Sequence, residues 1–371
     1  MWRQKWLYKL TLLSLGLVLL VAACAKEATP TPAPATPAPA ATLAPTPKPA
    51  LKTWKNLKFQ QYAVPADDAR WKNLVAWTEK VEELTNGRVT IDIYPQNELV
   101  KVAEMPDAAP KGIVDMYLTN EFYHFGVHPW LGWTFIPGSV DGAKWDTDFY
   151  KLMDAGIWEI QDREFARVGL KQVFPWNGGP IFAFAMRDSY VKGPETFPGR
   201  KIRGAGGATT ELLKVLGASA VSIAGPEVIQ SLSTGVIDGA LTSINVGVYS
   251  WKWYEVAPYI TYFPTFPMNS WNIPVVMNKA LWDEFDDEVK QAFRQAWVEL
   301  QPLVNKNVKA DIDWALDGLK KDSKTETFIG PDEMSQQFLT VAEKPLRDWY
   351  LDKAGDTGAE ILAIVDKYYG R

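Results

Sequence analysis

Apolar and polar positions from Gly199 to Ser243 alternate between strand spacing and helix spacing: GRKIRGAGGATTELLKVLGASAVSIAGPEVIQSLSTGVIDGALTS. Lys201 to Arg203 reads as a short strand that runs into Gly204, Gly206 and Gly207. Leu212, Leu213 and Leu216 share one helical face, and Gly217 stands where a helix end favours a left-handed residue. Ala220 to Ile223 is the next strand. Pro226 opens a second helix, where its missing N–H costs nothing, and Val236 to Leu241 closes the unit. Such an alternation predicts a parallel sheet with right-handed crossovers, whose ligands sit at the carboxyl ends of the strands. Arg203 ends one strand and Thr242 another, so both are expected to face one cleft.

The rest of the chain supplies a partner for this unit. Leu57 to Ala63 reads as a strand, followed by a helix start at Pro65-Ala66-Asp67-Asp68. Trp71, Leu74, Val75, Thr78 and Val81 recur at helical spacing, with Asn86-Gly87 as the stop. Val89, Ile91 and Ile93 alternate with polar neighbours, a half-buried strand pattern. The segment KGIVDMYLTN (111–120) then echoes TGVIDGALTS (234–243), pairing Gly112 with Gly235, Asp115 with Asp238 and Thr119 with Thr242. Each follows a Gly-Arg strand start, Gly87-Arg88 and Gly199-Arg200. The echo predicts two α/β lobes of related design, each presenting a strand end to a shared cleft. The aromatic run at 122–135 is expected mainly as packing, with some rings lining a ligand cavity. Tyr249 to Ile260 reads as a helix with Trp251, Trp253 and Tyr254. Phe263 to Met277 reads as extended and returning to the first lobe, and Asn278 to Lys321 as helix, with a possible break near Pro302. A chain that leaves one lobe, builds a second and returns has the connections of a hinge.

The first 23 residues are expected to be an export signal. Arg3, Lys5 and Lys9 precede the 14-residue, mostly apolar run Leu10–Ala23, too short for a membrane span of about 20 residues. The run ends Leu20-Val21-Ala22-Ala23-Cys24, which resembles a bacterial lipobox, so Cys24 is expected to carry lipid. Residues 25–50 contain eight prolines and no aromatic residue, a composition that stays solvated and extended. At about 3.1 Å per residue the tether reaches roughly 80 Å.

Residues 1–52 hold six of the 39 Lys/Arg and one of the 44 Asp/Glu, which leaves the body with 33 basic against 43 acidic residues, net −10. No basic face for nucleic acid is expected, and an anionic ligand needs specific local cations. Cys24 is the single cysteine, which excludes an internal disulfide. His124 and His128 are the two histidines and read as packing or loop residues; no metal site is expected. The glycines around Arg203 lack the Lys and Ser/Thr of a phosphate loop. Asp115 and Asp238 lie near turn-to-strand junctions, which reads as structural rather than as a catalytic carboxylate pair.

Taken jointly, TNGRVTIDIYPQNEL (85–99), KGIVDM (111–116), FPGRKIR (197–203), LGASAVSIAGPEVIQSLSTGVIDG (216–239), KWYEV (252–256) and FIGPDEM (328–334) resemble the solute-binding proteins of tripartite ATP-independent periplasmic (TRAP) transporters, dicarboxylate-binding-subunit type. The resemblance implies an α/β, two-lobe, type II periplasmic-binding-protein fold with a hinge and a long lobe-spanning helix. It implies lobes of 53–178 plus about 266–305 and 179–265 plus about 306–371, after a signal peptide at 1–23 and a tether at 24–52. It implies no catalysis and no cofactor: one organic acid is bound between the lobes and delivered to permease subunits outside the cytoplasm. The position of the family's carboxylate-clamping arginine falls on Arg203, whose planar fork matches a carboxylate. Asn120, Trp176, Phe182, Thr242, Asn245 and Trp271 are the further candidates.

Two departures stand out. After Asn177-Gly178, where many members carry another cleft arginine, this chain has Gly179-Pro180-Ile181-Phe182, and the family's Gln-Glu-Asn-Pro is here Ala240-Leu241-Thr242-Ser243. Both changes point to a more apolar cleft and to a monocarboxylate with an apolar or aromatic body. Removing Arg203, taken as an exposed cleft charge, is expected to cost the fold little. A binding protein of an ATP-driven importer, a ligand sensor and an exported hydrolase are the competing readings; the 197–239 motifs fit the first of these less well.

Overall fold

The computed structural model describes residues 51–371 except 63–65, 67, 96, 267, 269 and 323–324. The expected signal, Cys24 and the tether to residue 50 lie outside the described residues. Eleven strands follow in chain order: β1 Trp54–Gln60, β2 Val89–Tyr94, β3 Met116–Leu118, β4 Leu170–Phe174, β5 Ala183–Met186, β6 Lys201–Gly204, β7 Ser219–Ser222, β8 Gly239–Thr242, β9 Tyr259–Tyr262, β10 Val275–Asn278 and β11 Glu326–Ile329. They form two sheets, ordered β2-β1-β3-β10-β4 and β11-β9-β5-β8-β6-β7.

The two sheets share one plan. In the first, β1 runs parallel to β2 and β3, and β10 inserts antiparallel between β3 and β4. In the second, β6 runs parallel to β7 and β8, and β5 inserts antiparallel between β8 and β9. Each sheet therefore completes itself with a strand from the other half of the chain: β5 comes late in the first pass and β10 returns after β9. The echo between 111–120 and 234–243 marks equivalent positions, the turns into β3 and β8. Gly112 and Gly235 both take the left-handed backbone, with φ of 71° and 74°, which glycine adopts without penalty. The Gly-Arg starts are not equivalent: Gly87-Arg88 precedes β2, the counterpart of β7, whereas Gly199-Arg200 precedes β6, the counterpart of β1.

The first helix, Ala69–Leu84, begins where Asp68 accepts the Arg70 backbone N–H, a side-chain cap of one free helix donor. It ends before Asn86 and Gly87, both left-handed. Its buried face carries Arg70, Asn73, Leu74, Trp77, Thr78 and Val81; Trp71 and Val75, expected inside, are half-exposed. The helix Asp287–Lys321 runs through Pro302 unbroken. The carbonyl that Pro302 leaves without a donor belongs to Val298, which is 68% exposed and open to water. This helix packs on the first helix and β4 at one end and on β11 and the 244–250 turn at the other, so it spans the lobes. The C-terminal helix Asp332–Tyr369 touches both the 129–135 segment and the helix Gly207–Val215.

The helix expected over Tyr249–Ile260 is absent. A turn at Ile244–Ser250, a short 3-10 turn at Trp253–Glu255 and β9 replace it. Lys252 is left-handed (φ 56°) and Pro258 disfavours helix in the residue before it. The stretch then pairs between β5 and β11, a pairing that local periodicity does not report. Residues 263–274 cross back as expected, with an antiparallel bridge from Asn177 to Asn272 between the crossing segments.

Candidate functional site

Between the lobes lies a cavity of about 40 Å³, walled by the carboxyl ends of four parallel strands. Tyr62 follows β1, Asn120, Phe122 and Tyr123 follow β3, Arg203 and Ala205 end and follow β6, and Leu241, Thr242 and Ser243 end and follow β8. Ile181 and Trp271 enter from the crossing segments and Arg70 from the first helix. The parallel-sheet rule thus places these side chains correctly.

Arg203 is 3% exposed. Its Nε donates to the Ile223 carbonyl at 2.8 Å and its Nη1 to the Leu241 carbonyl at 2.9 Å, and the guanidinium lies 5.5 Å from the Trp253 ring centre. Among the described residues no carboxylate pairs with it. Burial lowers its pKa, and a hydrogen bond with Tyr123 acts the other way; an arginine stays cationic at neutral pH regardless. The expectation of an exposed cleft charge is corrected here: Arg203 is buried and ties the loop after β7 to the end of β8. Its counterpart by register in the first lobe is Gln60, whose side chain likewise bonds the loop beyond the neighbouring parallel strand, at Leu99 and Val100. Arg203 adds a positive charge to that shared structural role.

The second cavity arginine, Arg70, was not legible as a site residue. Asp68 holds its fork bidentately, Nε to Oδ1 at 2.8 Å and Nη2 to Oδ2 at 2.7 Å, and Trp271 lies 4.9 Å beneath it. Burial alone would pull Arg70 down, but Asp68 more than offsets it and the net shift is upward. Tyr123 spans the lobes: its hydroxyl accepts the Gly225 N–H at 3.3 Å and meets Arg203. Asn120 spends its side-chain oxygen on the backbone N–H groups of Phe122 and Tyr123, at 2.9 and 3.3 Å.

Of the sequence candidates, Arg203, Thr242, Asn120 and Trp271 line the cavity. Trp176, Phe182 and Asn245 are buried but do not line it. Trp176 packs near Phe174 and Trp297, Phe182 stacks on Phe266 at 4.0 Å, and Asn245 lies inside the 244–250 turn. Phe182 is one residue beyond Ile181, which does line the cavity; both lie in the irregular segment before β5. Among the lining residues that sequence reasoning did not single out are Tyr62, Arg70, Thr209, Ser243, Val246 and Trp251; an arginine two residues from an aspartate at a helix start was the available signal for Arg70.

No group of three or more His, Cys, Asp or Glu side chains suited to a metal occurs among the described residues, and none of their helices is long and apolar enough to cross a membrane. His124 is buried, with Nε2 at 2.8 Å from the Val102 carbonyl and Nδ1 accepting the Asn120 N–H at 3.2 Å. His128 packs on Trp130 and Phe165.

The C4-dicarboxylate-binding periplasmic protein DctP of Rhodobacter capsulatus is 25% identical over 326 residues, covering 85% of this chain and 92% of that protein. A solute-binding protein of Albidiferax ferrireducens is 28% identical over 233 residues, 62% of this chain and 67% of its own length. Among solved structures, a TRAP periplasmic solute binding protein from Desulfovibrio salexigens with bound orotic acid superposes with a TM-score of 0.77 at 20% identity, covering 86% of this chain and 99% of that one. A TRAP periplasmic solute binding protein from Rhodoferax ferrireducens with bound malonate gives 0.75 at 23%, over 85% and 98%. These likenesses carry the two-lobe fold. The family model described as "Bacterial extracellular solute-binding protein, family 7" (DctP) matches residues 59–352, and the resemblance to TRAP solute-binding proteins read from the motifs holds. The chain belongs to this family of extracellular binding proteins, which are transport components and not enzymes.

Proposed function

We propose that this chain captures an organic acid between its lobes, through a salt bridge from Arg203 to the ligand carboxylate, and delivers it in the closed form to a TRAP-type membrane permease. The observation that carries the reading is the charge state of the cavity. Arg203 is buried and has no carboxylate partner among the described residues, whereas Arg70 is already neutralised by Asp68. A cavity with one uncompensated cation matches a monoanion. The walls contributed by Phe122, Ile181, Leu241, Val246, Trp251 and Trp271 favour an apolar or aromatic body. Thr242 and Asn120 are the polar groups proposed to orient it.

The moving bodies are proposed as 53–178 plus about 266–305 and 179–265 plus about 306–371, with the crossing segments as the hinge. Export by residues 1–23 and lipid attachment at Cys24 would hold the protein on the outer side of the membrane, with residues 25–50 as a spacer. A thermal-shift panel of aromatic and aliphatic acids tests the ligand class. Monocarboxylates with apolar bodies are expected to raise the melting temperature, and stabilisation by succinate or malate alone would sink the assignment. Metabolic labelling with a fatty acid, lost in Cys24→Ala, tests the anchor.

A further inference from the structure

The end of the cavity formed by the first lobe is built differently from the Arg203 end. Tyr62 and Trp271 are both buried, with rings 5.5 Å apart, and both line the cavity. Among the described residues the Tyr62 hydroxyl and the Trp271 Nε1–H have no hydrogen-bond partner. Asn120, beside them in the lining, has committed its oxygen to two backbone N–H groups, and among the described residues its amide NH₂ donates to no protein group. Two buried, unpaired donors and the Asn120 amide therefore belong to side chains that line one small space, and a buried donor left without an acceptor is costly. The charged lining residue at this end, Arg70, has two sides of its fork taken up by Asp68 and a third nitrogen 3.5 Å from the Gly178 carbonyl.

From this arrangement we infer that the first-lobe end is a subsite for a neutral hydrogen-bond acceptor: the ligand is a monocarboxylate whose apolar body ends in a carbonyl or similar oxygen, held by Tyr62 and Trp271, and Asp68 is the residue that refuses a second carboxylate. The inference rests on the proposed role of Arg203 as the carboxylate clamp. A second carboxylate placed here would lie against an Arg70 already neutralised by Asp68, and the buried Arg70–Asp68–carboxylate group would carry a net negative charge. In a site closed to water that charge is strongly disfavoured. A carbonyl oxygen fills the same donors with no charge to compensate. Rejection of the wrong ligand is thus produced by a residue that need not touch the right one.

Titration calorimetry of the purified full chain with pentanoate, 4-oxopentanoate and glutarate separates the cases. The three acids share a five-carbon chain: pentanoate carries no distal oxygen, 4-oxopentanoate a ketone at C4 and glutarate a carboxylate at C5. The expected order is 4-oxopentanoate at least tenfold tighter than pentanoate, with glutarate weakest. In Tyr62→Phe the ratio between the first two falls toward one. In Asp68→Asn, which frees the Arg70 fork, glutarate gains at least tenfold relative to 4-oxopentanoate. Glutarate binding as tightly as the keto acid, or an unchanged ratio in Tyr62→Phe, overturns the subsite, and the second result stands even where Asp68→Asn does not fold. Acids that bind in an Arg203-dependent way without this order leave the clamp in place and remove the subsite alone. No binding by these acids or by the wider panel removes both.

Discussion

Asp115 and Asp238 make the same contact in the two lobes: each Oδ2 accepts a backbone N–H at 2.7 Å, from Lys58 in one case and Lys201 in the other. Each also donates its own N–H to that lysine's carbonyl, at 3.0 and 2.8 Å. The aspartates lock the turns before β3 and β8 onto β1 and β6, and those four strands carry Tyr62, Asn120, Arg203 and Thr242 at their ends. Asp238→Ala is expected to destabilise the apo protein by about 1–3 kcal/mol, read by urea denaturation. Unchanged stability would mean that the contact is dispensable for the fold.

Arg203→Ala is expected to abolish the acid-induced rise in melting temperature. It should also lower the apo melting temperature, because the Ile223 and Leu241 carbonyls lose their donors, at about 1–3 kcal/mol for each left buried and unsatisfied. Arg203→Lys keeps the charge and loses the fork, so it should retain more apo stability than alanine and still bind weakly. Full binding in the lysine variant would show that charge alone suffices.

A Cβ at Gly206 would lie 2.5 Å from the Phe122 carbonyl oxygen, at a φ of 131°. The loop after β3 rests on the second lobe at this point. Gly206→Ala therefore combines backbone strain with a clash at the contact between the lobes, and ligand affinity should fall at least tenfold. Gly199→Ala is the control: its φ is 80° and no atom lies within 4 Å of the added Cβ, so strain of about 1–3 kcal/mol acts without a clash. Comparison of affinity and small-angle scattering with and without ligand separates the two. Equal affinity losses would rule out a closure effect.

Stability should fall on acidification from pH 7 to pH 4.5. Burial lowers His124 to about 4 and His128 to about 3, below their usual value near 6.5. The unfolded chain therefore takes up protons first, and the contribution present above pH 6.5 is lost as pH drops toward the folded values, at about 1.4 kcal/mol per pH unit and histidine. Glu121 opposes this. Burial pushes its carboxyl well above the usual range, against hydrogen bonds from Thr134 and the Asn272 N–H, so its contribution weakens as pH rises. Denaturation at pH 4.5, 5.5 and 7 should show a shallower slope in His128→Phe and a steeper one in Glu121→Gln. The same slope in all three proteins would contradict this assignment.

Most of the strand and helix order was legible because the elements are short and well punctuated. Gly217, Pro226 and Asn86-Gly87 stand at the helix ends where capping physics puts them. The 249–260 stretch was misread because aromatic residues at helical spacing fit a helix as well as a turn and strand, and only the pairing of β9 with β5 and β11 decides between them. Trp176 and Phe182 look like cavity rings in sequence. They are buried in the core, against Phe174 and Trp297 in one case and Phe266 in the other, and packing between distant segments, which local periodicity does not report, puts them there.

What the sequence determined by itself is the set of local events: where strands start and stop, which glycines turn left-handed, and that Arg203 and Thr242 end neighbouring parallel strands. Those follow from periodicity and backbone sterics, which act over a few residues. The tertiary structure decided what the site is electrically. Arg70, its fork held by Asp68, reaches the cavity beside Trp271, about two hundred residues away in the chain, and among the described residues Arg203 is the cavity arginine without a carboxylate. Which charge is cancelled and which donor stays unpaired depends on burial and on contacts between distant segments, and no local pattern carries that information.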